Sequence, residues 1–242
     1  MAMRSQPRRR QMTGIRAVFF DVGGTLIYSD LGHLDLLHQA LLAIGYRLTR
    51  DKVMEANDLA RRAVARSRRR YPARMNTHTA SRMWLEHLAS ALDLDLSSQV
   101  LERELARAIR AVETRSPETL DPDAHDLLRD LQEREFRLGV ISNWGEDLPE
   151  YLASFGLAGY FEVIIASEAV GTAKPHREIF LRGLSALGVQ PREAIHVGDD
   201  YWADVVGARS IGIQAVLIDR DGEDPHADCL TIDRLGVLAR MV

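Results

Sequence analysis

The sequence predicts an α/β fold: a doubly wound parallel sheet of five strands with an α-helical domain inserted after the first. Three observations predict it. Five short apolar runs are continuous and rich in branched residues, not alternating, as in a sheet covered on both faces. Helical patterns of crossover length separate the later runs, and repeated strand–helix–strand gives parallel strands with right-handed connections. Between the first and second runs lie more than a hundred residues that read as helix. Together they describe a Rossmann-like core with a helical insertion.

The elements follow in order. Residues 1–14 are basic, with Arg8-Arg9-Arg10, and read as a disordered leader. Ala17–Phe20 is the first strand. The insertion, residues 30–117, begins with a helix over His33–Ile44, whose Leu34, Leu37, Leu41 and Ile44 share one face before Gly45 stops it. Asp51–Arg70, Ala80–Leu92 and Ser98–Val112 complete a set of four, with Thr49 and Ser97 placed to cap two of them. Pro117 and Asp121-Pro122-Asp123 mark the return to the core, so the core comprises residues 15–29 and 118–242. Its remaining strands are Leu138–Ile141, Val163–Ala166, Ala194–Val197 and Ala215–Ile218. The helices among them are Ala124–Glu133, Leu148–Phe155, Arg177–Leu187 and Ala203–Ser210.

Composition excludes several classes. With 46% hydrophobic and 27% charged residues over 242 positions, the chain is an ordinary globular protein. A net charge of -4 argues against a nucleic-acid partner, which needs a basic footprint. No apolar run approaches the roughly 20 residues that span a bilayer, so no membrane role is expected. A single cysteine, Cys229, forms no internal disulfide and suits a reducing, cytoplasmic setting, where it reads as a small buried hydrophobe. Arg61–Arg74 holds seven arginines and no acid, which reads as a solvated helix face. Only two of 31 basic residues are lysines, Lys52 and Lys174. Oligomeric state is not legible.

Ligands of an open parallel sheet bind beyond the carboxyl ends of its strands, so the residues there carry the chemistry. The first strand is followed by Asp21-Val22-Gly23-Gly24-Thr25, and the second by Ser142-Asn143. Lys174-Pro175 lies a short loop after the third; Gly198-Asp199-Asp200 follows the fourth, with Asp204 one helical turn on. Acids, a hydroxyl and a lysine thus converge on one rim. A strand-end carboxylate such as Asp21 can attack phosphorus and form an acyl phosphate. Asp21 and Asp199 supply hard oxygens for Mg²⁺. The Ser142 hydroxyl and the Lys174 ammonium can hold phosphate oxygens. Gly23 and Gly24 let the backbone turn tightly and present its own groups to a ligand. In a chain that otherwise uses arginine, a retained lysine marks a place for a compact point charge.

The pattern resembles the haloacid dehalogenase-like hydrolase superfamily, on Phe20-Asp21-Val22-Gly23-Gly24-Thr25-Leu26, Ile141-Ser142-Asn143, Lys174-Pro175, and Gly198-Asp199-Asp200 with Asp204. The resemblance implies Asp21 as nucleophile, with Ser142, Asn143, Lys174 and Gly24 around the phosphoryl group. It implies Mg²⁺ held by Asp21, the Gly23 carbonyl and Asp199, supported by Asp200, Asp204 and Thr25. The insertion then corresponds to the family's cap, and the partner is a small phosphorylated molecule.

One position departs from the pattern. Phosphatases of this family carry a second aspartate two residues after the nucleophile, where this chain has Gly23. General acid–base catalysis is worth about 10²–10⁴ in rate. Three accounts fit: a substrate with a good leaving group, a proton donor from elsewhere, or a catalytically weak protein that binds a phosphorylated ligand or acts as a scaffold. A 2-haloacid dehalogenase is the enzyme alternative, although relatives of that kind lack the Gly-Asp pair kept here as Gly198-Asp199. A phosphonate-cleaving relative needs a cap lysine, for which only Lys52 offers. A phosphorylation-responsive receiver module has the wrong chain order. Trp144, Tyr201 and Trp202 either wall the cleft or pack the cap.

Overall fold

The computed structural model describes residues 12–29, 31, 33–70, 77–95, 97–113, 118–220 and 228–242. The chain divides into two compact units, residues 1–28 with 120–242 and residues 29–119.

The first unit is built on a parallel sheet. Its strands are β1 (Ala17–Phe20), β4 (Arg137–Ser142), β5 (Val163–Ala166), β6 (Ala194–Gly198), β7 (Gln214–Ile218) and β8 (Leu230–Ile232), in the spatial order β5-β4-β1-β6-β7-β8. From β1 the chain winds outward through β4 and β5, then returns to the other side of β1 for β6, β7 and β8. The expected five strands are therefore one short. Strand β8 has only three residues, two of them exposed, and so lacks the continuous apolar run that announces the others. A separate short pair, β2 (Ile27–Ser29) and β3 (Glu118–Leu120), lies where the chain leaves and re-enters the core.

Alternation along β1 divides the core. Val18 and Phe20 belong to one buried cluster, Ala17 and Phe19 to the other. Over the first face lies α5 (Ala124–Glu133), burying Ala124, Leu127, Leu128 and Leu131 at helical spacing. Alongside it lie α6 (Leu148–Ser154) and the closing 3₁₀ turn Leu235–Arg240. The second face is covered by α8 (Arg177–Ala186), with the short α7 (Ser167–Val170) between β5 and α8. The helix expected over Ala203–Ser210 begins two residues earlier, as a wide π-type turn, Tyr201–Val206, that runs into α9 (Gly207–Arg209). The Asp200 carboxylate accepts the N–H groups of Trp202 (2.6 Å) and Ala203 (2.8 Å) and so sets that start. Of the leader expected over residues 1–14, residues 1–11 lie outside the described residues; the Met12 N–H donates to the Met241 carbonyl at 2.9 Å. Cys229 is half-buried at the edge of the second core cluster.

The second unit is helical: α1 (His33–Ala43), α2 (Arg50–Arg70), α3 (Thr77–Leu92) and α4 (Ser98–Glu113). Its core takes Leu37 and Leu41 from α1, Val53, Ala56 and Ala60 from α2, Leu88 from α3 and Leu101 and Leu105 from α4. The Thr49 hydroxyl accepts the Lys52 N–H at 3.3 Å, as a capping residue does. Arg62 and Arg66 of the arginine run are exposed, and residues 71–74 of that run lie outside the described residues. No helix among the described residues is long and apolar enough to cross a membrane.

Candidate active site

Strand β1 is paired in parallel on both edges, Phe20 lying beside Val140 of β4 and Val197 of β6. Whatever follows these three strands therefore emerges at one edge of the sheet. Asp21 leaves β1 with its N–H still in the ladder, donating to the Val197 carbonyl at 2.9 Å. Ser142 closes β4, and Asp199 follows β6. The three residues belong to adjacent strand ends.

The loop after Asp21 is wound around one acceptor: Thr25, Leu26 and Ile27 all donate to the Val22 carbonyl, at 3.2, 2.9 and 3.0 Å. Such a turn needs Gly24 at φ +73°, and a Cβ at Gly24 would also collide with the Asp199 carboxylate. Gly23 is more open, with an ideal Cβ meeting, among the described residues, only Trp144 Cζ3 at 3.4 Å. Arg220, just past β7, grips the loop from outside. Its guanidinium donates to the carbonyls of Gly24 and of Thr25 (2.7 Å), pairs with the buried Asp121 carboxylate, and lies 4.3 Å over the Tyr28 ring.

Lys174 is 4% exposed, yet its ammonium sits 2.7 Å from Asp21 Oδ1 and 2.6 Å from Asp204 Oδ1. Asn143 aims it, since both amide atoms are spent on the Lys174 backbone: Nδ2 donates to its carbonyl (3.1 Å) and Oδ1 accepts its N–H (2.7 Å). Asp204 is held as firmly. Oδ1 also meets His196 Nε2 at 2.7 Å, and Oδ2 accepts the Asp200 N–H at 3.1 Å. Asp200 itself serves the turn at Tyr201.

These groups surround a cavity of about 230 Å³, lined by Asp21, Gly23, Ser142, Asn143, Trp144, Lys174, Asp199, Asp200, Ala203 and Asp204. The structure thus brings together most residues singled out in the sequence. Thr25 lies behind, fully buried, and its hydroxyl has no hydrogen-bond partner among the described residues. Tyr201 is turned away to donate to Asp228 at 2.8 Å, with Trp202 packed edge-on against it. Lys52 is exposed on α2. Sequence reasoning missed His196, Asp121 and Arg220. An ionisable residue inside the apolar run Ala194–Val197 was the one available signal, for His196.

Electrostatics follow from burial. Removal from water raises the Asp21 carboxyl above its ordinary value, and the Asp204 charge adds to this, while Lys174 and a hydrogen bond from Ser142 oppose it. Asp199 is pushed well above the usual carboxylate range by burial and then by the charges of Asp21, Asp204 and Asp200. Burial acts against charged Lys174, but the two carboxylates outweigh it and hold the ammonium protonated above its ordinary value. Burial likewise opposes ionised Asp204, but Lys174 and His196 win and lower it.

Asp21, Asp199 and Asp204 each offer an oxygen, all within 4.8 Å of one another. Both Asp204 oxygens are engaged, and Asp21 Oδ1 is paired with Lys174, so a hard cation would draw on the carboxylates of Asp21 and Asp199 beside the Gly23 backbone, a set whose chemistry fits Mg²⁺.

Comparison with known proteins agrees with this architecture. The chain is 28% identical over 221 residues to the glyceraldehyde 3-phosphate phosphatase of Methanothermobacter thermautotrophicus, covering 88% of this chain and 90% of that protein. It is 41% identical over 128 residues to the phosphoserine phosphatase of Thermus thermophilus, covering 52% and 51%. The match spans about half or less of the first curated relatives it resembles, from 38% to 51% of their length. Among solved structures, the HAD phosphatase from Thermococcus onnurineus superposes with a TM-score of 0.57 at 26% identity, covering 93% of this chain and 97% of that one. The family model for haloacid dehalogenase-like hydrolases matches residues 15–212, the stretch that carries every group around the cavity, and the chain belongs to that family.

Proposed function

We propose that the protein is a Mg²⁺-dependent phosphohydrolase acting on a small phosphorylated molecule through a covalent phosphate on Asp21. The observation that carries this reading is the placement of one buried ammonium, Lys174, between Asp21 and Asp204, with Asp199 opening onto the same cavity. Phosphatase relatives on either side of the comparison support the class.

An oxygen of ionised Asp21 attacks phosphorus, the bond from phosphorus to the leaving oxygen breaks, and an acyl phosphate forms. Water then attacks that phosphate, releasing inorganic phosphate and restoring the Asp21 carboxylate. Burial raises the Asp21 carboxyl and Lys174 works against that rise, while its ammonium neutralises an oxygen of the transferred group. Ser142 donates to that group from the end of β4. Asp21, Asp199 and the Gly23 carbonyl would hold Mg²⁺, which supplies further positive charge where phosphoryl charge spreads. Asn143 and Asp204 position Lys174, while Asp200 shapes the turn beside them. The inserted helical unit, residues 30–117, is proposed as the cap that selects the substrate.

The test is phosphate release from acyl, aryl and sugar phosphates with and without Mg²⁺, beside an Asp21→Asn control. Metal-dependent release that the control abolishes is the expected result. Release that persists in the control, or silence across the whole panel, overturns the reading and directs attention to haloacids.

A further inference from the structure

The space beside Gly23 is not simply empty. An ideal Cβ there would sit 3.4 Å from Trp144 Cζ3, in ordinary van der Waals contact, so the indole borders position 23 directly. Trp144 is fixed in that place. Its carbonyl accepts the Glu168 N–H at 3.1 Å and the Ser167 hydroxyl at 3.2 Å, and its ring lies on Tyr151, 4.7 Å between centroids at 32°. Tyr151 is in turn packed on Phe155. The indole is half-buried, packed on the core behind and lining the cavity in front. Gly23 and Trp144 thus make a wall of carbon beside the proposed nucleophile.

We propose that Trp144 is a specificity-determining platform that selects a planar, apolar leaving group, so that the substrates are aryl phosphates or comparably flat ones. This rests on the phosphohydrolase reading above and deepens it. The two features act together. When the phosphorus–oxygen bond breaks, the electron pair stays on the departing oxygen. An aryloxide bears that charge over its ring and leaves without taking a proton, whereas an alkoxide needs a donor that Gly23 does not provide. The same ring can lie against the indole, and such pairs are favourable beyond the area they bury. A wall that cannot donate a proton is matched to a group that needs none.

The experiment uses non-hydrolysable phosphonates on the full chain with Mg²⁺, so that binding is read without turnover. Calorimetry compares phenylphosphonate with methylphosphonate for the parent protein, Trp144→Leu and Trp144→Phe. The parent is expected to prefer phenylphosphonate by roughly ten-fold, about 1.4 kcal/mol. Trp144→Leu removes the preference and Trp144→Phe keeps a part of it. Equal affinities in the parent overturn the proposal, as does a preference that survives in Trp144→Leu. Should the leucine variant not fold, the parent and phenylalanine proteins still decide, since a preference unchanged by the smaller ring also refutes the platform. Phosphate release from 4-nitrophenyl phosphate against acetyl phosphate is measured on the same proteins, and their ratio falls in Trp144→Leu if the platform acts in turnover. Absence of release from both, with the phosphonate preference intact, sinks the hydrolase reading and with it the selection of a leaving group, and leaves Trp144 as a binding platform alone.

Discussion

Replacing Arg220 by methionine tests whether the loop that follows Asp21 is held from outside the cavity. Methionine keeps an unbranched apolar stem over Tyr28 but removes every donor. Lost are the bonds to the Gly24 and Thr25 carbonyls and the ion pair to Asp121, which is 3% exposed. Breaking a buried pair by deleting one partner costs about 3–5 kcal/mol, because the other charge stays behind unpaired. The Arg220 side chain is 23% exposed, so water can reach Asp121 after the change, and the lower end, about 3 kcal/mol, applies. For a chain of this size that is a fall in melting temperature of about 6–12 °C, at about 2–4 °C per kcal/mol. Arg220→Lys keeps the charge but cannot span two carbonyls and a carboxylate with one ammonium, so it recovers only part of the loss. Thermal unfolding followed by circular dichroism measures both variants, and Asp121→Asn closes a double-mutant cycle with Arg220→Met. A loss under 1 kcal/mol for Arg220→Met, or additive losses around the cycle, would show that the clamp holds nothing.

Two further changes probe the carboxylates and their loop. Asp199 is more easily protonated folded than unfolded, so its charge destabilises the metal-free fold by an amount that grows as pH rises above the ordinary value of 3.8. In chelator, Asp199→Asn should therefore melt higher than the parent at neutral pH, with the gap closing towards pH 4, about the ordinary carboxylate value. Adding Mg²⁺ should raise the melting temperature of the parent and not of the variant; the opposite order of stabilities refutes the assignment. Gly24→Ala must hold a side chain at φ +73° while its Cβ displaces the Asp199 carboxylate. It should lose at least about 1–2 kcal/mol of stability from the backbone alone, together with the Mg²⁺-induced shift in melting temperature. An alanine variant that keeps that shift would detach Gly24 from the metal site.

The parts of the fold legible in the sequence are those where one local signal decides. Strands β1, β4, β5, β6 and β7 are largely buried and each carries a short apolar run, with His196 inside that of β6. The short β8 has mostly exposed residues and borrows its shape from β7, so no local run marks it. The residues that line the cavity are legible where strand ends place them, and Lys174 stands out as one of two lysines. Arg220 could not stand out among 29 arginines, and its partners Gly24 and Asp121 lie 196 and 99 residues away in sequence. The pairing of His196 with Asp204 depends on how the wide turn at Tyr201 folds back, which neither residue signals. Long-range side-chain pairing is the information that a single sequence holds least visibly.

The central position of β1 has a consequence for how the molecule breathes. Opening events in a folded chain begin where hydrogen bonds are few and edges are bare, at β5 and β8 on the two rims of this sheet. Val18, Phe19 and Phe20 are laddered on both sides, so their amide protons are expected to exchange only when the sheet as a whole comes apart. Asp21 hangs from that strand. The rims can fray and re-form many times while the proposed nucleophile keeps its place, so the chemistry is anchored to the slowest-opening part of the protein.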